Sequence, residues 1–169
     1  WMGAPNSIKG PTEAIFRTQS GSNLLIVGQR EESALAITGT SIISLAAQHP
    51  MEGAKFILLE AAVAGTMESE FLEHVTRAVP HDMRMIKNHE LPNVMSELDA
   101  ELKKRTDEGP EGFPKIYFFI QDLAKFKKLR QEDDFSFSLD DDDSGGSPAK
   151  QFESLITEGA AHGIHLIVT

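Results

Sequence analysis

The chain has no cysteine. Disulfides and thiolate metal sites are therefore excluded, and the composition is compatible with a cytoplasmic location. No apolar run approaches the roughly 20 residues that span a bilayer, so direct membrane insertion is not expected. The first residues do not read as a secretory leader. Bases are scarce: 16 Lys and Arg stand against 26 Asp and Glu, for a net charge of −10. The excess is local. Residues 131–147 hold seven acids (Glu132, Asp133, Asp134 and Asp140 to Asp143) and no base, leaving 19 acids against 16 bases elsewhere. A near-neutral body argues against autonomous DNA binding, which wants a basic face. The acidic, Ser- and Gly-rich stretch is expected to be a mobile solvated loop. Its run Asp140 to Asp143 lacks the Gly and the terminal Glu of an EF-hand calcium loop.

What is present suits one soluble domain. The chain has 169 residues, 40% hydrophobic and 25% charged, enough to bury a core. Residues 1–22 are rich in Gly, Pro, Ser and Asn and read as an extended lead-in; residues 23–169 form the αβ domain. Leu24 to Val27 is a continuous apolar run, expected as a strand covered on both faces. A sharp turn at Gly28 leads into a helix from Glu32 to Gln48, with Leu35, Gly39, Ile42 and Ala46 on one face. Glu31 and Glu32 suit the partial positive charge at its start. Lys55 to Glu60 is a second strand. A short helix follows from about Ser69, then a strand from Met83 to Ile86. Leu91, Val94, Met95, Leu98 and Leu102 mark the clearest amphipathic helix, closed by Gly109-Pro110. Lys115 to Ile120 is the strongest strand and ends in Gln121-Asp122. After a basic patch (Lys125, Lys127, Lys128, Arg130) and the acidic stretch, Pro148 opens the last helix. Gly163 ends it before a strand from Ile164 to Val168. The apolar run at the chain's end is expected to be an interrupted strand, cut short on the C-terminal side.

Regular β-α alternation predicts a three-layer αβα architecture with a mainly parallel sheet. Ligands in such folds sit beyond the carboxyl ends of the strands, here Gly28, Glu60, Gln121-Asp122 and Thr169. The strand-turn-helix at Gly28 occupies the place of a P-loop, whose pattern is G-x-x-x-x-G-K-[ST]. Counting from Gly28, the intervening residues are Gln29, Arg30, Glu31 and Glu32. Ser33 then stands for the second Gly, Ala34 for the Lys and Leu35 for the Ser/Thr.

Four pieces in order resemble the FtsK/SpoIIIE group of P-loop ATPases, DNA translocases related to the ATPases of type VII secretion. Leu24-Leu-Ile-Val-Gly28 is similar to the strand leading into the family's Walker A loop. Phe56-Ile-Leu-Leu-Glu60 is similar to its acid-ending strand. Phe118-Phe-Ile-Gln-Asp-Leu-Ala124 is similar to its Walker B strand, and Glu158 to Thr169 to its "GIHLI…T" strand. The resemblance implies a RecA/FtsK-like P-loop fold. It also implies a degenerate nucleotide site at Gly28 to Leu35, Gln121 and Asp122, with Gln121 in place of the magnesium-linked Asp and Asp122 in place of the catalytic Glu. No catalytic residue and no metal site are expected intact. The implied role is a structural, regulatory or interaction module of a larger DNA-translocase-type ATPase. Its partners would be other modules or subunits, with DNA reached only through the assembly. The alternative is an active translocase domain that binds ATP and magnesium in a site finished by neighbours. A third reading is a different doubly wound protein taking an anion at Gln29 to Ser33.

Other residues have plainer readings. Arg17 and Arg30 are expected at the surface. The basic patch is expected as an exposed charged helix. Met83, Met85 and Met95 are core filler. His162 and His165 straddle a helix end and a strand, so their rings need not converge on zinc; His165 is expected packed beside the sheet edge.

Overall fold

A computed structural model describes residues 1–4, 8, 10–130 and 146–169. The predicted acidic loop at 131–147 lies outside the described residues, except for Gly146 and Ser147. The strands are β1 (Leu24–Leu25), β2 (Ala54–Leu59), β3 (Asp82–Ile86), β4 (Lys115–Ile120) and β5 (Ile164–Val168). The helices are α1 (Glu31–Ala46), α2 (Met67–Ala78), α3 (Leu91–Glu108) and α4 (Pro148–Thr157). Every strand pairing is parallel, in the order β1-β5-β4-β2-β3. The protein is an α/β fold with helices on both faces of one five-stranded parallel sheet.

Alternation along each strand divides the core. Phe56, Leu58, Tyr117, Phe119 and Ile167 face α1 and α2 with Ile42, Leu45, Leu72 and Val75. Ile57, Leu59, Phe118, Ile120, Leu166 and Val168 face α3 and α4 with Val94, Met95, Leu98, Leu102 and Leu155. Each fully buried Phe or Leu here contributes roughly 1.5–3 kcal/mol relative to exposure. The helix ends follow local chemistry. The Thr66 hydroxyl accepts from Ser69 N, and Ser147 Oγ from Lys150 N just ahead of Pro148. Gly163 ends the helical segment in a left-handed conformation at φ 75°. Gly39 lets the Phe71 ring of α2 lie close on α1: a Cβ there would fall 2.8 Å from the ring and displace it. Among the described residues, no helix is long and apolar enough to cross a membrane.

Three expectations need correction. β1 is an edge strand with one open face. Leu25 is 67% exposed and Val27 87%, because no described element covers the α3/α4 side there. Only Leu24 and Ile26 pack inward, toward α1. The apolar run reported hydrophobicity and could not report which side would be covered. The basic patch is not a charged helix but two short 3-10 turns, Leu123–Lys125 and Lys127–Leu129. Phe126 between them and Leu129 are buried and hold the patch against the core. Of the three methionines only Met95 is fully buried; Met83 and Met85 are partly buried against the α1/α2 core.

The described residues of the lead-in form no helix or strand, and an isolated antiparallel bridge joins Gly3 and Thr12. The lead-in is pinned to the domain by side chains. Asn23 Oδ1 accepts from Leu166 N at 2.9 Å, Asn23 Nδ2 donates to Ile156 O at 3.0 Å, and Ser20 Oγ donates to Thr157 O at 2.9 Å.

Candidate functional site

The carboxyl ends of β1, β5 and β4 open onto one cavity of about 470 Å³. The chain leaves β1 on the α1 side of the sheet and leaves β4 on the α4 side. The cavity therefore lies at a switch in winding direction, where doubly wound sheets hold ligands. Gly28, Gln29, Arg30, Glu31, Ser33 and Ala34 line it from the α1 side, Gln121 and Asp122 from β4, and Thr169 from β5. The structure thus brings together most of the residues that the sequence pointed to. Glu32 and Leu35 do not line the cavity. Nor does Glu60, which is fully buried, bonded to the Ala62 amide and ion-paired with Lys87.

The turn itself departs from expectation. α1 begins at Glu31, so only Gly28, Gln29 and Arg30 separate Val27 from the helix. Glu31 to Leu35, matched above to P-loop positions, are helical, within one residue of the helix expected from Glu32. Arg30 O accepts from Ser33 N and Ala34 N, closing the first turn early. Gly28 lacks a positive φ, and a Cβ there would meet nothing within 4 Å. No glycine is required at this turn, so it is not the tight loop that the Gly suggested.

The β4 end is held by specific bonds. Gln121 is 5% exposed, and its Oε1 accepts from the Thr38 hydroxyl at 2.9 Å, tying β4 to α1. Asp122 has φ 60°, the only positive φ among the described non-Gly residues. Its amide donates to Thr169 Oγ1 at 2.9 Å, and its carboxylate meets Lys125 Nζ at 3.1 Å. That hydrogen bond raises the Lys125 pKa above its ordinary value, against a burial effect that lowers it, with smaller help from the charges of Asp122, Glu68 and Glu31. Left-handed backbone at a residue with a side chain costs about 1–2 kcal/mol, and such strain concentrates at functional sites.

Charge decides what the cavity can take. Glu31, Glu68 and Asp122 line it against Arg30 and Lys125, so carboxylates outnumber cations. Glu31 and Glu32 already supply negative charge to the first turn of α1. These residues do not fit Mg-ATP. A P-loop wraps phosphates with a six-residue G-x-x-x-x-G loop and a Lys. Here three residues make the turn, the next two are acids, and the Gln121 carbonyl oxygen is already bonded to Thr38. Among the described residues no group of three or more His, Asp or Glu could hold a metal ion. The His165 ring is fully buried with Nδ1 on Ser22 O at 2.9 Å.

Two contributors were not singled out from sequence. Glu68 enters from the start of α2, about forty residues from Gly28, and no local pattern announces it. Thr38 had a signal, a hydroxyl on the apolar face of α1 between Leu35 and Ile42. Comparison of the chain with family models, curated proteins and solved structures returns no match.

Proposed function

We propose that the chain is an FtsK-like αβ module that does not hydrolyse nucleotide and serves as a structural or protein-interaction part of a larger, cytoplasmic DNA-translocase-type ATPase. The observation that carries this reading is the carboxyl-edge cavity. It lies where the resemblance calls for nucleotide, yet it is lined by three carboxylates and entered by a three-residue turn. Phosphate groups would meet Glu31, Glu68 and Asp122 at close range, and like charges in a partly desolvated site repel strongly. The Thr38–Gln121 bond supports the same reading, since it links α1 to β4 with groups that a nucleotide site would need free. Leu25 and Val27, exposed beside the cavity, supply apolar surface for a neighbouring module.

The test is isothermal titration of the chain with Mg-ATP at concentrations able to detect millimolar affinity, with circular dichroism as the folding control. The expected result is a folded chain and no saturable heat. The double variant Ala34→Lys with Leu35→Thr is also expected to bind nothing, because both positions are helical and the turn stays short. Saturable Mg-ATP binding by the unaltered chain would overturn the proposal.

A further inference from the structure

A second cavity of about 240 Å³ lies at the opposite, amino end of the sheet. Its roof is the lead-in at Trp1, Met2 and Glu13 to Ile15, and its walls come from the C-terminal half of α1 and the starts of β1 and β4. The floor is apolar: Phe16, Leu24 and Leu45. Seven of the fourteen lining residues are polar or charged. Ser41 lines the cavity at 5% exposure, and its hydroxyl is buried with no hydrogen-bond partner. A buried hydroxyl without a partner costs about 1–3 kcal/mol and calls for a ligand or water. Tyr117 presents its hydroxyl, bonded to His49 Nε2 at 2.9 Å. Lys115 brings an ammonium whose one protein contact is a long 3.4 Å bond to Phe16 O; among the described residues it has no carboxylate partner. The one acid of the lining, Glu13, belongs to the exposed roof, where water screens it.

We propose that this cavity binds a small organic acid, its carboxylate taken by Lys115 and the Ser41 hydroxyl and its apolar body set against Phe16, Leu24 and Leu45. Unpaired donors above an apolar floor are the usual composition of a small-molecule site. The volume falls below the roughly 300–1,000 Å³ of drug-sized sites, so the occupant is a monocarboxylate with one ring or a short branched chain. A phosphorylated or dianionic ligand fits less well, since Lys115 is the only Lys or Arg of the lining and Glu13 stands at its roof. The site is independent of the carboxyl-edge cavity and of the role proposed for it.

The test is a two-dimensional amide NMR titration of the full chain with phenylacetate, and with 2-phenylethanol and phenethylamine as neutral and cationic counterparts. Saturable shifts are expected at Ser41, Ser44, Gln48 and Lys115 with phenylacetate, and at least tenfold weaker binding of the other two. Lys115 is only partly buried, so Lys115→Gln should fold and weaken phenylacetate at least tenfold. Ser41→Ala should weaken it severalfold while leaving the spectrum otherwise native. No saturation below tens of millimolar, equal response to 2-phenylethanol, unchanged affinity in Lys115→Gln, or shifts confined to Gly28–Ser33 would each overturn the proposal.

Discussion

The two ends of the sheet solve opposite problems. At the carboxyl end, charges meet over an open cavity: Glu31, Glu68 and Asp122 with Arg30 and Lys125. At the amino end, rings meet in the core. His165 stacks on Tyr117 at 5.5 Å, Tyr117 stacks on Phe56 at 5.5 Å, and Phe56 meets His81 edge-on at 5.4 Å. Phe16 of the lead-in closes the row against Tyr117 and His165. The amino end thus draws its stability from buried aromatic area and offset or edge-on ring contacts. Over its cavity the carboxyl end holds the half-exposed Lys125–Asp122 pair, of a kind worth little in water, and tolerates a strained Asp122. The difference assigns rigidity to one end and leaves the other open to contact.

The comparison can be broken first at Tyr117. Tyr117→Ala removes the central ring of the row and is expected to destabilise by about 3–5 kcal/mol, read as a fall in the urea midpoint. A loss below ~1 kcal/mol would mean that the aromatic row does not anchor the amino end. Next comes Gln121→Ala, which leaves the Thr38 hydroxyl buried and unpaired at a cost of about 1–3 kcal/mol. Thr38→Val should restore part of that loss in the double variant; a purely additive double loss would show that the bond is not the link between α1 and β4.

The third probe is pH. Burial lowers the pKa of both His49 and His165 below the ordinary 6.5, with smaller contributions from the Lys115 charge and from neighbouring histidines. The bond to Ser22 O partly offsets the shift at His165. Around His165 stand Lys115 and Tyr117 of β4, His49 beyond α1, and Ser22 O of the lead-in; among the described residues no carboxylate hydrogen-bonds the ring. Between the lowered folded value and 6.5 the unfolded chain binds more protons. Stability from these two rings is therefore complete above about pH 6.5 and is lost as pH falls through that range. Urea midpoints at pH 7.5 and 6.0 should show the drop, and His165→Gln should flatten it. An unchanged slope in that variant would remove His165 as its source. The smallest effect belongs to the carboxyl end. Lys125→Ala breaks a half-exposed pair with Asp122 and should cost no more than about 0.5 kcal/mol. A loss of 2 kcal/mol would show that this end is as tightly held as the other.

Legibility followed the range of the interactions. β4 was read to the residue, because Lys115 to Ile120 combines β-branched and aromatic residues over the length of a strand. α3 was read from its i, i+3, i+4 pattern, and its end from Gly109. The site was read in part. Gly28, Gln121, Asp122 and Thr169 could be placed together because strand ends in a parallel sheet converge. The helix start was read to within one residue from Glu31 and Glu32, whereas the P-loop count from Gly28 did not show that only three residues make the turn, with Arg30 O taking Ser33 N and Ala34 N. His165 was expected packed beside the sheet edge and is buried in the aromatic row.

By itself, the sequence determined the alternation of strands and helices, the parallel sheet, and the excess of acids over bases. These rest on periodicity and composition, which act within a few residues of each other. Tertiary structure alone decided that β1 is an edge strand with Leu25 and Val27 open. It brought Glu68 to the carboxyl-edge cavity, joined Thr38 to Gln121, and left the Ser41 hydroxyl without a partner beneath the lead-in. Each is a meeting of residues distant in the chain, set by which surfaces the packed elements cover.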